Sequence, residues 1–198
     1  MREDKKYIFI TGKSESGKSM ISEYISKKYK GAIHIKMRDI IKEMYKEYDT
    51  KLSYEEWQEE LENKQREFFW KTYINMANKI AKEHNIIVMD TLRKKETLEV
   101  INKLAGNNNI MLLYIDAKFE YRVNREYKRL NKEDNISYEQ IKLNTLKKDK
   151  EKEQYGLIQI LNYLKEDKMK HGYIIYNNGT IEDFKKNIDD KIKIFLGD

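Results

Sequence analysis

Tyr7-Ile8-Phe9-Ile10-Thr11-Gly12-Lys13-Ser14-Glu15-Ser16-Gly17-Lys18-Ser19-Met20 runs from an apolar, β-prone tetrapeptide into a glycine loop and on into a helix-forming stretch. Gly12 to Ser19 satisfies G-x-x-x-x-G-K-[ST] at every specified position. Glycines at the two ends let the backbone fold tightly around an anion, and the following helix turns its partly positive end toward the same point. In this pattern Lys18 reaches the outer phosphates of a nucleoside triphosphate, and the Ser19 hydroxyl ligates magnesium. Gly12, Lys13, Ser14, Glu15, Ser16, Gly17, Lys18, Ser19 and Met20 are therefore the candidate triphosphate-binding residues. The flanking apolar strand and amphipathic helix are the context that the motif requires.

Outward from this loop, Met20, Ile21, Tyr24, Ile25 and Tyr29 form a helical stripe that Gly31 stops. Ala32 to Ile35 predicts a second strand, and Ile40, Ile41, Met44, Tyr45 and Tyr48 mark the next helix face. Ser53-Tyr54-Glu55-Glu56 has the form of a capping box and predicts one long helical stretch to about Glu83, through Trp57, Leu61, Phe68, Phe69, Tyr73, Met76 and Ile80. Such an aromatic stripe serves packing first, although Trp57, Arg66, Phe69 and Trp70 could also stack on a base.

Ile86 to Met89 predicts a third strand ending at Asp90, and a helix with Leu98, Ile101 and Leu104 stops at Gly106. Ile110 to Ile115 is the fourth strand, ending at Asp116. A charged helix from Lys118 to Leu130 follows, and Ser137 caps another. Tyr173 to Tyr176 is the fifth strand, and Phe184, Ile188, Ile192 and Phe195 line a terminal helix. Five strands separated by helices predict an α/β fold, a doubly wound five-stranded parallel sheet with helices on both faces, in one domain over residues 1–198.

Composition narrows the function classes. The chain has no cysteine, so disulfides, thiolate metal sites and cysteine nucleophiles are excluded. Its formal charge of +6 comes from lysines scattered among nearly as many acids, which describes a solvated mixed surface with some attraction for anionic ligands. The apolar run after Met1–Lys6 is too short for a signal core or a membrane span, so a cytoplasmic protein without membrane association is expected. The sequons at Asn135 and Asn178 are then chance matches. A monomer or a homodimer is expected.

The loop, with Asp90 closing the third strand, resembles the nucleoside monophosphate kinase-like branch of P-loop proteins, which includes adenylate kinases, deoxynucleotide kinases and dephospho-CoA kinases. That resemblance implies ATP and Mg2+ as cofactors, with Ser19 and Asp90 as the metal-holding residues. Asp90-Thr91-Leu92-Arg93 is similar to the family's aspartate-x-x-arginine, in which the arginine grips the acceptor's phosphate; a planar guanidinium suits that task. Arg122, Arg125 and Arg129 resemble the lid arginines, and their spacing puts them on one helix face where they could converge on a polyphosphate or form a basic solvated face. Asn177-Asn178-Gly179-Thr180 is similar to the turn that borders the adenine, so Asn178 and Gly179 join the nucleotide-binding candidates. Met37-Arg38-Asp39-Ile40-Ile41-Lys42-Glu43 is similar to the acceptor-binding segment, with Asp39 and Lys42 as substrate candidates. Arg38 stands where the family has glycine and Lys42 where it has arginine, so acceptor identity does not transfer. The family frame places an acceptor-binding helical region at about 37–83 and a lid at about 118–150.

The resulting expectation is a P-loop kinase that phosphorylates a small nucleotide-type acceptor, a nucleoside monophosphate or deoxynucleoside monophosphate, with Lys18, Arg93, Arg122, Arg125 and Arg129 as catalytic residues. Dephospho-CoA is an alternative acceptor. A polynucleotide 5′-kinase would use the same loop and lid but needs a basic, aromatic-lined groove, so nucleic acid is a possible partner that is not favoured. A GTPase switch would take Asn131-Lys132-Glu133-Asp134 as its guanine reader, but that tetrapeptide ends an arginine-rich helix instead of a strand. A non-catalytic nucleotide-binding protein is the remaining alternative.

Overall fold

The computed structural model describes residues 5–90, 92, 94–106, 108–130 and 136–197. Along the chain run β1 (Lys6–Gly12), α1 (Lys18–Lys28), β2 (Ala32–Lys36), α2 (Met37–Glu47), α3 (Tyr54–Lys64), α4 (Arg66–Ile80), β3 (Ile86–Asp90), α5 (Lys95–Ala105), β4 (Ile110–Asp116), α6 (Phe119–Leu130), α7 (Tyr138–Gln154), α8 (Leu157–Lys165), β5 (Gly172–Tyr176) and α9 (Ile181–Leu196). The sheet order is β2-β3-β1-β4-β5 and every pairing is parallel. The expected five-stranded, doubly wound architecture is the observed one.

Side chains alternate across the sheet with period two, and each set builds its own core. Tyr7, Phe9, Ile87, Met89, Leu112 and Tyr114 pack beneath α2, α3, α4, α5 and α8. Ile8, Ile10, Val88, Met111, Leu113 and Ile175 face α1 and α9 instead. Full burial of one such side chain is worth about 1.5–3 kcal/mol. In register, Ile10 lies opposite Asp90 and Gly12 opposite Ile115, so the loop after β1 and the carboxylate ending β3 emerge together at the carboxyl ends of the central strands.

Two helical expectations are revised. The stretch from Ser53 to Glu83 is two helices, because Gln65 leaves the helical region at φ −135°, ψ 44°. The bend lets Phe69 reach Trp57 with ring centroids 5.8 Å apart, and both rings are buried. The capping box at its start is present, with Ser53 accepting from the Glu56 amide while Glu56 accepts from the Ser53 amide. The second revision is α8, an additional helix between α7 and β5 whose buried stripe is Leu157, Ile160 and Leu164. Phe68 and Ile80, assigned above to the helical stripe, are exposed.

Candidate active site

The site begins with backbone geometry that only glycine satisfies cheaply. Gly12 has φ +132°, and a Cβ there would lie 2.0 Å from the Ile115 carbonyl oxygen. Gly17 has φ +104°, and its Cβ would come within 2.6 Å of the Asn177 amide nitrogen. Glu15 also adopts a left-handed conformation, at φ +55°. α1 starts on Gly17 without a side-chain cap and without an acid in its first turn, whereas Ser53, Ser137 and Thr180 cap α3, α7 and α9. Its first N–H groups are therefore left for an anion.

The loop is held from behind by side chains of α6 and α7. Arg122, 2% exposed, donates to the Ser14 carbonyl at 3.0 Å and pairs with Asp149 at 2.7 Å. Asp149 in turn accepts from the Ser14 amide at 3.2 Å. Ser14 is thus gripped at both its N–H and its C=O by one buried ion pair, and an ion pair with its hydrogen-bonding capacity filled is the form in which burying charge is tolerated. Asn177 supplies a further tie through its side-chain amide, which donates to the Ser16 carbonyl at 2.9 Å.

In front of the loop lies a cavity of about 760 Å³ lined by Gly17, Lys18, Ser19, Arg125, Arg129 and Lys152 among others. Lys18 donates to the Lys13 carbonyl, and Lys152 borders the same cavity. Burial first, then the nearby charge of Lys152, pulls the Lys18 pKa down to about 7, against the opposing pull of Glu15 and Asp90. A pocket lined by Lys18, Arg125, Arg129, Lys148 and Lys152 suits a polyanion. Across its mouth, Lys148 lies 3.2 Å from Glu15 and 3.6 Å from Glu126, and Glu126 pairs with Arg129 at 2.6 Å. Burial works against the Glu126 carboxylate, yet Arg129 and Lys148 hold its pKa below the usual range.

A second cavity of about 510 Å³ lies beyond Asp90, lined by Lys36, Arg38, Tyr54, Gln58, Glu62, Trp70 and Lys94 among others. Glu62 accepts from Gln58 at 3.2 Å and from Lys94 at 2.7 Å. Tyr155 borders both cavities. Asp90 sits 3.5 Å from His34 and interacts electrostatically with Lys18, which places its carboxylate where the two spaces approach each other.

The residues present fit Mg2+ bound together with phosphates. Ser19 borders the first cavity and Asp90 the second, and one hydroxyl with one carboxylate is the sparse protein share that this ion takes when phosphates and water complete its shell. Among the described residues no group of three or more His, Asp or Glu could hold a metal by itself.

The sequence candidates fall in different places. Lys18, Ser19, Met20, Arg125 and Arg129 border the first cavity with Ser14, Glu15 and Gly17. Arg122 belongs to the same helix but is turned inward on Asp149. Arg125 donates to the carbonyl and the side-chain oxygen of Asn177 at 2.7 and 3.1 Å. Asn178 accepts from the Lys118 amide, and Gly179 lies next to Asp183, both outside the cavity lining. Asp39 and Lys42 are exposed on the outer side of α2, while Arg38 borders the second cavity. Arg93 and the Asn131-Lys132-Glu133-Asp134 tetrapeptide lie outside the described residues.

Asp149, Lys152, Tyr155, Asn177, Lys36 and Lys94 were not singled out by sequence reasoning. One signal was available for Asp149. Ile141, Thr145 and Asp149 share the buried stripe of α7, and a carboxylate on a buried stripe calls for a cation.

Compared with known proteins, residues 8–156 match the family model described as AAA domain. A UPF0200 protein from Sulfurisphaera tokodaii is 28% identical over 198 residues, which is 96% of this chain and 98% of that protein. Among solved structures, a gluconokinase from Sinorhizobium meliloti 1021 aligns with a TM-score of 0.56 at 11% identity, over 100% of this chain and 97% of that one. A shikimate kinase from Bacteroides thetaiotaomicron gives 0.50 at 11% identity, over 97% and 98%. At such identities the likeness to the two kinases is one of fold. Among the described residues no helix is long and apolar enough to cross a membrane.

Proposed function

The chain belongs to the AAA domain family and has the kinase-like P-loop fold, and from that premise we propose that it transfers the terminal phosphoryl group of ATP to a nucleotide-type acceptor, a nucleoside monophosphate or its deoxy form. The observation that carries this reading is the pair of cavities, one in front of the phosphate loop and one beyond Asp90, with Tyr155 common to both. A switch or a simple nucleotide binder needs only the first.

In this reading the triphosphate lies along Gly12–Ser19, with Lys18 on its outer phosphates. Ser19 and Asp90 would hold Mg2+, which when bound would neutralise phosphate charge. Arg125 and Arg129 border that cavity and offset charge that spreads onto the transferred group, and Arg122 acts through Ser14 by fixing the shape of the loop. On the acceptor side, Lys36, Arg38 and Lys94 supply positive charge, Gln58 and Glu62 supply polar edges, and Tyr54 and Trp70 supply ring surface. Arg93 takes the acceptor's phosphate, as the family resemblance implies. Two phosphates then meet in line, and positioning does most of the work.

Labelled ATP offered with a panel of nucleoside monophosphates, dephospho-CoA and a 5′-hydroxyl oligonucleotide tests this directly. Label is expected on a monophosphate, with loss of transfer in Lys18→Ala. Transfer to the oligonucleotide alone, or a Lys18→Ala rate equal to the parent's, refutes it.

A further inference from the structure

We propose that Gln58, Glu62 and Lys94 read the base of the acceptor and select one with a ring N–H beside a carbonyl, the lactam edge of guanine or of thymine and uracil, against adenine and cytosine; this deepens the kinase reading and rests on it for which cavity the acceptor enters. Tyr54, Gln58 and Glu62 follow one another at one-turn intervals along α3, so they share a helix face, and all three line the second cavity. Glu62 is the fixed point of that face. Its side chain is only 13% exposed, Gln58 Nε2 donates to its Oε1 at 3.2 Å, and Lys94 Nζ, from the N-cap of α5, donates to its Oε2 at 2.7 Å. Glu60 on the same helix instead meets Lys64 in the solvent, with a side chain 42% exposed.

A carboxylate offers about four lone-pair sites and no donor. Two are taken by Gln58 and Lys94, so a ligand meets a central acceptor with a cation on one side and an amide on the other. The complementary base edge carries a donor in the middle and a carbonyl toward Lys94. Guanine, thymine and uracil have that order. Their third position is an amino group in guanine and a second carbonyl in the two pyrimidines, and the Gln58 amide, with an oxygen and a second N–H, serves either. Adenine and cytosine put a ring-nitrogen lone pair against the carboxylate whichever way round they enter. A site built on hydrogen bonds rejects such an edge, because its own groups are left unpaired. The acceptor's phosphate belongs at the strand ends, where Lys36 lies opposite Asp90 in register and both border this cavity. That leaves the α3 wall to the base.

The test is titration calorimetry of GMP, dTMP, AMP and CMP, with the first cavity filled by a non-hydrolysable ATP analogue, against the parent chain, Glu62→Gln and Lys94→Met; each chain is also melted, and transfer from labelled ATP to the same four is measured. The cost of an unpaired group predicts that GMP or dTMP binds the parent at least about tenfold more tightly than AMP and CMP, and which of the two leads separates a purine reader from a pyrimidine reader. Glu62→Gln places a donor as well as an acceptor at the centre, so the preference should shrink below about threefold, chiefly through weaker binding of the lactam bases. Tightest binding of AMP or CMP, no binding of any of the four, or an equal loss for all four in Glu62→Gln overturns the proposal. If Glu62→Gln melts far below the parent, Lys94→Met carries the comparison: it keeps the carboxylate and must weaken the preferred lactam base at least about threefold more than AMP, and an equal effect on both overturns the proposal. A preference in binding without transfer to any of the four removes the kinase reading and leaves the base reader standing; transfer to all four at equal rates, with equal affinities, does the reverse.

Discussion

Replacing Asp149 by alanine removes one half of the ion pair behind the phosphate loop. Arg122 is 2% exposed and its guanidinium also serves the carbonyls of Ala117 and Ser14, so it cannot swing into water when its partner goes. Breaking a buried pair by deleting one member costs about 3–5 kcal/mol, because an uncompensated charge stays behind. The Ser14 amide loses its acceptor as well, which is part of that figure. For a chain of this size each kcal/mol moves the melting temperature by about 2–4 °C, so Asp149→Ala should melt about 6–20 °C below the parent. Differential scanning calorimetry, with agreement of calorimetric and van't Hoff enthalpies as the two-state check, measures the shift. The double variant Arg122→Met with Asp149→Leu should recover most of the loss, since an apolar pair of similar volume replaces the charges. Its affinity for Mg-ATP should stay weakened, because nothing then holds Ser14. A single variant melting within about 2 °C of the parent, or a double variant that restores binding along with stability, would refute the clamp.

Two further outcomes follow from the same geometry. Folding lowers the Lys18 pKa from its ordinary value to about 7, so between about 7 and that value the unfolded chain holds the extra proton, and this residue's contribution becomes more favourable to folding as pH rises through that window. A bound polyphosphate reverses the shift, so at pH 8 Mg-ATP binding should take up about one proton, seen as a dependence of calorimetric heat on buffer ionisation that Lys18→Met abolishes; no buffer dependence in the parent contradicts the assigned surroundings of Lys152, Glu15 and Asp90. Gly17→Ala must displace the Asn177 amide and hold alanine in a left-handed conformation, at a cost of about 1–3 kcal/mol; nucleotide affinity should fall with it, and a variant that denatures and binds like the parent counts against the strap from Asn177.

The sheet and the loop were legible because their signals are local. Short unbroken apolar runs name β1, β3 and β4 as strands buried on both faces, and the spacing from Gly12 to Ser19 is a backbone prescription. What escaped was set by neighbours distant in sequence. The three-and-four spacing does put Arg122, Arg125 and Arg129 on one side of α6, but depth is decided by Asp149, 27 residues from Arg122, which draws that arginine inward. Gln65 ends α3 without a glycine or proline to announce it, because the driving force is the meeting of Trp57 and Phe69. Asp39 and Lys42 show the reverse case. The buried stripe Met37, Ile40, Ile41 and Met44 turns both away from the core, a placement that the helical period alone predicts.

β1 is the middle strand, bonded to β3 on one side and β4 on the other. The residues just before Gly12 therefore have no cheap local opening, and their amides should exchange with solvent only when the whole molecule unfolds. A nucleotide must enter and leave past a cradle that shares the stiffness of the sheet's spine. Whatever breathing turnover requires is thrown onto α6 and α7, whose exposed links to the cradle, such as Lys148 to Glu15, are the weak ones.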